Sequence, residues 1–192
     1  MSVNEHDFIK ELQSGSRAAF KQLFDTHSTL VYNVTYRMLQ NKQDAEDVTQ
    51  EVFFEAYKAL KHFRAESQLS TWLYRIAVNR SLNHQRKKKV ERWLSLDFDT
   101  DKHSGENVDV PEMSEERTDD AIQRKDTERI VQEAINSLPG QQRIAIMLHR
   151  YEDLSYEEIA RIMGVTVGSV ESRMHRAKQT LAKKLLSLKN EL

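Results

Sequence analysis

Residues 154–188 read LSYEEIARIMGVTVGSVESRMHRAKQTLAKKLLSL. Ser155 followed by Glu158 is a capping box and predicts a helix start. Ile159, Ile162 and Met163 give that helix an apolar face, and Gly164 supplies the left-handed residue that ends it. Thr166 can cap a second helix, whose Val170, Met174, Ala177, Leu181 and Leu185 recur every three or four residues. Two helices joined by a tight glycine turn form a helix-turn-helix. The outer face of the second helix carries Ser169, Glu171, Ser172, Arg173, His175 and Arg176, with Lys178, Lys183, Lys184 and Lys189 behind them. Short hydrogen-bonding side chains followed by cations suit base edges and phosphates in a major groove. An ordinary helical hairpin with a solvated basic face is the plain alternative.

Upstream, residues 122–138 predict a helix on Ile122, Ile130, Val131, Ala134, Ile135 and Leu138. Pro139 opens the next helix, with Ile144, Met147, Leu148 and Tyr151 on its apolar side. Packed under the helix-turn-helix, these make residues 122–192 one small helical domain. Residues 94–121 lose hydrophobic periodicity and read as an acidic, flexible linker with Gly105 and Pro111. Between Ser95 and Ala121 there are ten Asp or Glu against Lys102 and Arg117.

Residues 1–93 form the other expected domain. A short helix over 4–14 uses Phe8, Ile9 and Leu12 and stops at Gly15. A second uses Ala19, Phe20, Leu23 and Phe24, and a third Leu30, Val31, Val34 and Met38. Residues 44–60, DAEDVTQEVFFEAYKAL, bury Val48, Val52, Ala56 and Leu60 and carry an acidic flank of Asp44, Asp47, Glu51 and Glu55. Phe53 and Phe54 lie about 100° apart on the helix, so a narrow stripe cannot centre both. An exposed aromatic beside carboxylates fits a basic partner helix; a broad apolar face buried on two sides fits the periodicity equally well. Residues 61–70 read as a loop, with Ser70 capping TWLYRIAVNRSLNHQRKKKVERW. On that helix Leu69, Leu73, Ile76 and Ala77 point one way and Arg75, Asn79, Asn83 and Arg86 another. Seven Lys or Arg fall between Arg75 and Arg92, interleaved with or flanked by Phe63, Trp72, Tyr74 and Trp93. Cations hold a nucleic-acid backbone while aromatics stack on or wedge against unpaired bases. Equally, Trp72 and Phe63 can be core, with Asn79 and the lysines a solvated helix surface.

Composition fits an all-α chain of two small domains. The 192 residues include five Gly, two Pro and no Cys, which removes disulfides and thiolate metal sites. The seven His have no metal-ligand spacing, so neither metal nor cofactor is expected. No apolar run approaches a membrane span, and the polar N-terminus is no signal peptide; a cytoplasmic location is expected. The net charge of −1 hides two basic patches separated by an acidic segment, a pattern for two contacts with a polyanion.

Taken in order, DAEDVTQEVFFEAYKAL, HFRAESQLSTWLYRIAVNRS, an acidic linker and SLPGQQRIAIMLHRYEDLSYEEIARIMGVTVGSVESRMHRAK closely resemble the extracytoplasmic-function (ECF) group of bacterial sigma-70 factors, which keeps regions 2 and 4. The resemblance implies a non-enzymatic promoter-recognition subunit of RNA polymerase. It implies core polymerase docking through Asp44, Asp47, Gln50, Glu51, Phe53 and Phe54. It implies −10 recognition and melting through Phe63, Arg64, Trp72, Arg75, Asn79, Arg80, Asn83, Lys87 and Lys88. It implies −35 reading through Ser169, Glu171, Ser172, Arg173, His175, Arg176 and Lys178. The linker corresponds to a segment that enters polymerase channels built for nucleic acid, and an anti-sigma factor is the expected inhibitor. Glu171 stands where many relatives carry Lys or Arg, and His175 where relatives vary, so the −35 sequence cannot be copied from them.

Two other classes compete. A helical nuclease or metal-dependent hydrolase needs converging carboxylates or His ligands, which the spacing does not supply. A sigma-like interaction protein that binds polymerase without promoter activity is opposed by the RKKK run and by the arginines of the last helix.

Overall fold

A computed structural model describes residues 3–96 and 129–189. The chain divides into two compact units, with the division between Val108 and Asp109.

In the first unit, α1 (Val3–Gln13) is followed by α2 (Arg17–Leu39), α3 (Lys42–Ala59), a 3-10 turn (Leu60–His62) and α4 (Leu69–Leu96). Gly15, at φ +83°, turns the chain from α1, and the Ser16 side chain accepts from the Ala19 N–H to start α2. The two helices expected over residues 19–38 are one helix of 23 residues. The polar run Asp25–Ser28 contains no breaker, and half-buried His27 carries the stripe from Leu23 to Val31. Burial holds the His27 imidazole below its ordinary pKa. The C-terminus of α2 is closed by Gln40 in the left-handed conformation. Asn41 then accepts from the Asp44 N–H at 2.9 Å, so α3 begins after a two-residue connection.

Helices α2, α3 and α4 share the core. Val48, Val52 and Ala56 of α3 are fully buried, as expected, with Leu73 and Ala77 of α4. Deep in this core Thr35 and Thr49 hydroxyls lie 2.9 Å apart, satisfying groups whose unpaired burial costs about 1–3 kcal/mol. The α4 helix starts at Leu69, ahead of Ser70, because the Gln68 carbonyl accepts from the Trp72 N–H. It runs to Leu96, three residues into the segment assigned as linker; the rest of that segment, with Ile122, lies outside the described residues.

In the second unit, residues 129–136 are helical and called α5. Then come α6 (Gly140–Tyr151), α7 (Tyr156–Met163) and α8 (Val167–Lys189). Pro139 caps α6 from just outside its first turn. Ala134, Ile135, Leu138, Ile144, Met147, Leu148, Ile159, Ile162, Val170, Met174 and Ala177 make the core, all at 4% exposure or less. The capping box is complete: Glu158 N–H to Ser155 Oγ is 3.2 Å and Ser155 N–H to Glu158 Oε2 is 2.9 Å. Gly164, at φ +65°, ends α7, and Thr166 Oγ1 accepts from the Ser169 N–H to start α8.

Candidate nucleic-acid and protein interfaces

Three exposed side-chain arrays follow from this framework. The first is on α3. Asp47, Gln50, Glu51 and Phe54 occupy positions i, i+3, i+4 and i+7, and all four are exposed. Phe54 is 62% exposed, with the Lys58 ammonium 3.9 Å above its ring. Its neighbour Phe53 is a correction to the surface set. Only 4% exposed, it packs on Phe24 of α2 with ring centroids 4.7 Å apart. The two rings meet at a tilt of 60° and Phe24 itself reaches the surface, so of the adjacent pair Phe53 serves the core and Phe54 the face.

Asp44 also departs from the expected docking face. Its side chain turns toward α4, where Oδ1 lies 3.3 Å from His84 Nε2 and Oδ2 accepts from Lys88. About two and three turns further along α3, Glu51 lies 3.8 Å from Arg80 and Glu55 pairs with it. The acidic flank of α3 and the near edge of α4 are therefore joined by a ladder of opposite charges. These carboxylates face cations of their own chain, and no group of three or more His, Cys, Asp or Glu able to hold a metal ion occurs among the described residues.

The second array is on α4 and the loop before it. Arg75, Asn79, Asn83 and Arg86 are all exposed along one side. Lys87 and Lys89 are exposed too, Lys87 3.8 Å from Glu91. Arg80 and Lys88, expected to hold phosphates, are the cations engaged by the ladder. In the loop, Arg64 is exposed, but Phe63 is 7% exposed and packs on half-buried Trp72 at 4.9 Å. Phe63 thus belongs to the core, because its ring fills the space under the loop. Two features of that loop are hidden from sequence reading. Gln13 of α1 donates to the Phe63 carbonyl at 2.8 Å. Ala65 sits at φ +56°, a conformation that costs a non-glycine residue about 1 kcal/mol or more and persists only where its surroundings impose it.

The third array is on α8. Glu171, Ser172, His175, Arg176 and Lys178 are exposed, and Ser169 is half-buried beside the Thr166 cap. Ser172 donates to the Gly168 carbonyl at 2.9 Å and keeps its lone pairs free to accept. His175 Nε2 lies 3.0 Å from Gln179 Nε2. Arg173 is not fully on the outer face: it is half-buried, with Nη1 turned inward. It lies about 60° around the helix from fully buried Val170, at the margin of the apolar stripe. In the supporting α6, burial lowers the Arg143 guanidinium below its ordinary range.

A unit with a polar–aromatic helix face and a cation-lined helix, followed by a helix-turn-helix unit, matches known families in the same order. Sigma-70 region 2 matches residues 23–91 and sigma-70 region 4 matches residues 128–181. The ECF RNA polymerase sigma factor SigW of Bacillus subtilis is 34% identical over 181 residues, covering 94% of this chain and 96% of that one. The ECF RNA polymerase sigma-E factor of Escherichia coli K12 is 35% identical over 190 residues, covering 97% and 96%. Among solved structures, RpoE of Bartonella quintana in complex with the anti-sigma factor NepR has a TM-score of 0.67 at 25% identity, over 86% of this chain and 96% of that one. CnrH in complex with the cytosolic domain of CnrY has a TM-score of 0.68 at 23% identity, over 95% and 97%, and shares the fold. With both family regions matched in order and relatives 34% and 35% identical over nearly the whole chain, the chain belongs to the ECF group of the sigma-70 family of RNA polymerase sigma factors.

Proposed function

We propose that each exposed array carries one step of promoter-directed initiation, in which this chain binds core RNA polymerase, reads the −35 and −10 elements and helps open the −10 region. The observation that carries this reading is the separation of a protein-type face from two DNA-type faces. Asp47, Gln50, Glu51 and Phe54 form a compact acidic–aromatic stripe suited to a basic helix of the polymerase. The α8 face meets the −35 duplex, with Arg176 and Lys178 as its exposed cations and His175, Ser172 and Glu171 at base edges. A carboxylate at Glu171 repels phosphate but accepts from a cytosine amino group.

Strand opening uses binding energy. A base must leave the stack before its Watson–Crick edge is read, at a cost of a few kcal/mol. The loop over residues 63–68, with Asn79 exposed on the helix behind it, forms a pocket for one flipped non-template base. Phe63 shapes that pocket from beneath, while Arg64, Arg75, Arg86, Lys87 and Lys89 offer exposed groups to the strand. The chain performs no catalysis of its own, works in the cytoplasm with polymerase and needs no cofactor. Its acidic segment over residues 97–120 enters a cationic polymerase channel. An anti-sigma factor that covers the DNA-binding units is its inhibitor, as the assembly of the Bartonella relative with NepR supports.

The charge reversal Asp47→Arg tests the docking stripe. Asp47 is exposed, so the substitution changes stability by about 0.5 kcal/mol or less, yet core binding should weaken at least tenfold. A folded variant with unchanged core affinity would overturn the assignment.

A further inference from the structure

We infer that Gln13 of α1 is a positioning residue for −10 reading: its side-chain amide holds the loop over residues 63–68 in the shape that admits a flipped base. The inference rests on the reading of that loop as the −10 pocket. Gln13 is the last residue of α1, half-buried, and its Nε2 donates to the Phe63 carbonyl at 2.8 Å across 50 residues of sequence. The acceptor fixes the direction of this bond. A backbone carbonyl only accepts, and a turned amide would set two oxygens against each other. Buried Ile9 and Leu12 seat α1 in the core of the first unit, so a packed helix delivers the amide.

The bond acts where the loop leaves the core. The Phe63 N–H donates to the Leu60 carbonyl and closes the 3-10 turn, and the Phe63 ring is buried against Trp72. Beyond that anchor Arg64 and Glu66 are exposed, and Ala65 keeps its left-handed φ of +56°. At the far end the Gln68 carbonyl accepts from the Trp72 N–H. The loop backbone is therefore tied at both ends, and Gln13 supplies a tie from outside the segment. Without that donor the Phe63 carbonyl is left to water, and the strained turn at Ala65 loses support. The loop then samples other shapes, and the cost of ordering it falls on base capture. Gln13 touches no DNA in this scheme; it acts through the backbone that shapes the pocket.

The test uses holoenzyme made with the full chain and single-stranded non-template −10 oligonucleotides. An abasic site is moved along the −10 element, and the position with the largest loss of affinity marks the captured base. The ratio of intact to abasic affinity at that position measures capture alone. Gln13→Met keeps the length of the side chain and removes the donor, and should lower that ratio roughly fivefold, the factor carried by a hydrogen bond of ordinary net worth. Gln13→Lys keeps a donor and should restore most of the ratio, since an added charge acts on both oligonucleotides alike. Binding to a −35 duplex should stay unchanged in both variants. A merely structural role would lower the melting temperature and weaken both oligonucleotides in proportion; an unchanged ratio in Gln13→Met therefore overturns the inference alone. So does a ratio that falls equally in Gln13→Lys, which would assign the effect to side-chain shape. Gln13→Ala, read the same way, stands in if Gln13→Met folds poorly. If no abasic position weakens binding to the unsubstituted holoenzyme, the reading of the loop falls and the inference with it.

Discussion

On α4, Arg80 is held by Glu51 and Glu55 and Lys88 by Asp44, whereas on α8 Arg176 and Lys178 have no ion-pair partner among the described residues. The two helices proposed to face DNA therefore meet a polyanion from different starting points. A phosphate at α8 finds cations that have only water to give up. A phosphate at Arg80 or Lys88 must displace a carboxylate of α3, so its gain is the difference between two ion pairs. The same α3 carboxylates border the stripe offered to polymerase, and Glu51 belongs to both sets. Cation count alone is thus a poor guide to which helix binds DNA before polymerase is present.

The largest effect expected from this contrast is on α8. Arg176→Ala should lower affinity for a −35 duplex by about 1–3 kcal/mol if the side chain reads a base, and relax preference at one position. Because Arg176 is exposed, the fold should be unaffected. Arg173→Ala should differ by also lowering the melting temperature, since that side chain is half-buried. Duplex binding at fixed salt with parallel thermal melts separates the two. Equal melting temperatures for both variants would erase the distinction between them.

A smaller effect sharpens the α4 side. Glu55→Gln should release Arg80 at a stability cost of about 0.2–1 kcal/mol, the range for partly exposed pairs. Binding of the polymerase-free chain to a single-stranded non-template −10 oligonucleotide should then rise several-fold. Its log–log salt slope should steepen by about 0.7, the increment for one added phosphate contact on a single strand. An unchanged slope would show that Glu55 does not withhold Arg80 from the strand.

The smallest effect reports on the core beneath these faces. His27 titrates below its ordinary value of about 6.5 because the charged ring is poorly solvated inside the first unit. The unfolded chain therefore binds the proton more readily, and its contribution to stability is present above about pH 6.5 and lost as pH falls. His27→Gln should flatten that part of the stability–pH curve, and chemical denaturation over this interval measures it. Equal curves would assign the acid sensitivity to other groups.

Sequence made the α7–α8 hairpin legible almost residue by residue, because the capping box, Gly164 and the Thr166 cap are local devices. The polar stripe of Arg75, Asn79, Asn83 and Arg86 was legible for the same reason: helical spacing fixes it. What depended on a second helix was not. Phe53 and Phe54 are equivalent until Phe24 of α2 is placed against one of them. Asp44, Arg80 and Lys88 read as free charges until α3 and α4 are laid side by side. His27 looked like part of a boundary because a polar residue in a stripe interrupts the periodicity without interrupting the helix. Phe63 is aromatic beside cations in sequence, yet its ring is the floor of the loop and not its face.

This chain gives core polymerase its promoter specificity. The most direct measurement is to sequence the 5′ ends of transcripts made by core polymerase with and without the purified full chain on fragmented genomic DNA. Discrete start sites that appear only with the chain, share paired −35 and −10 elements and lose the −35 preference in Arg176→Ala are the predicted result. A chain that binds core polymerase but leaves the start sites unchanged would be a polymerase-binding protein without promoter activity.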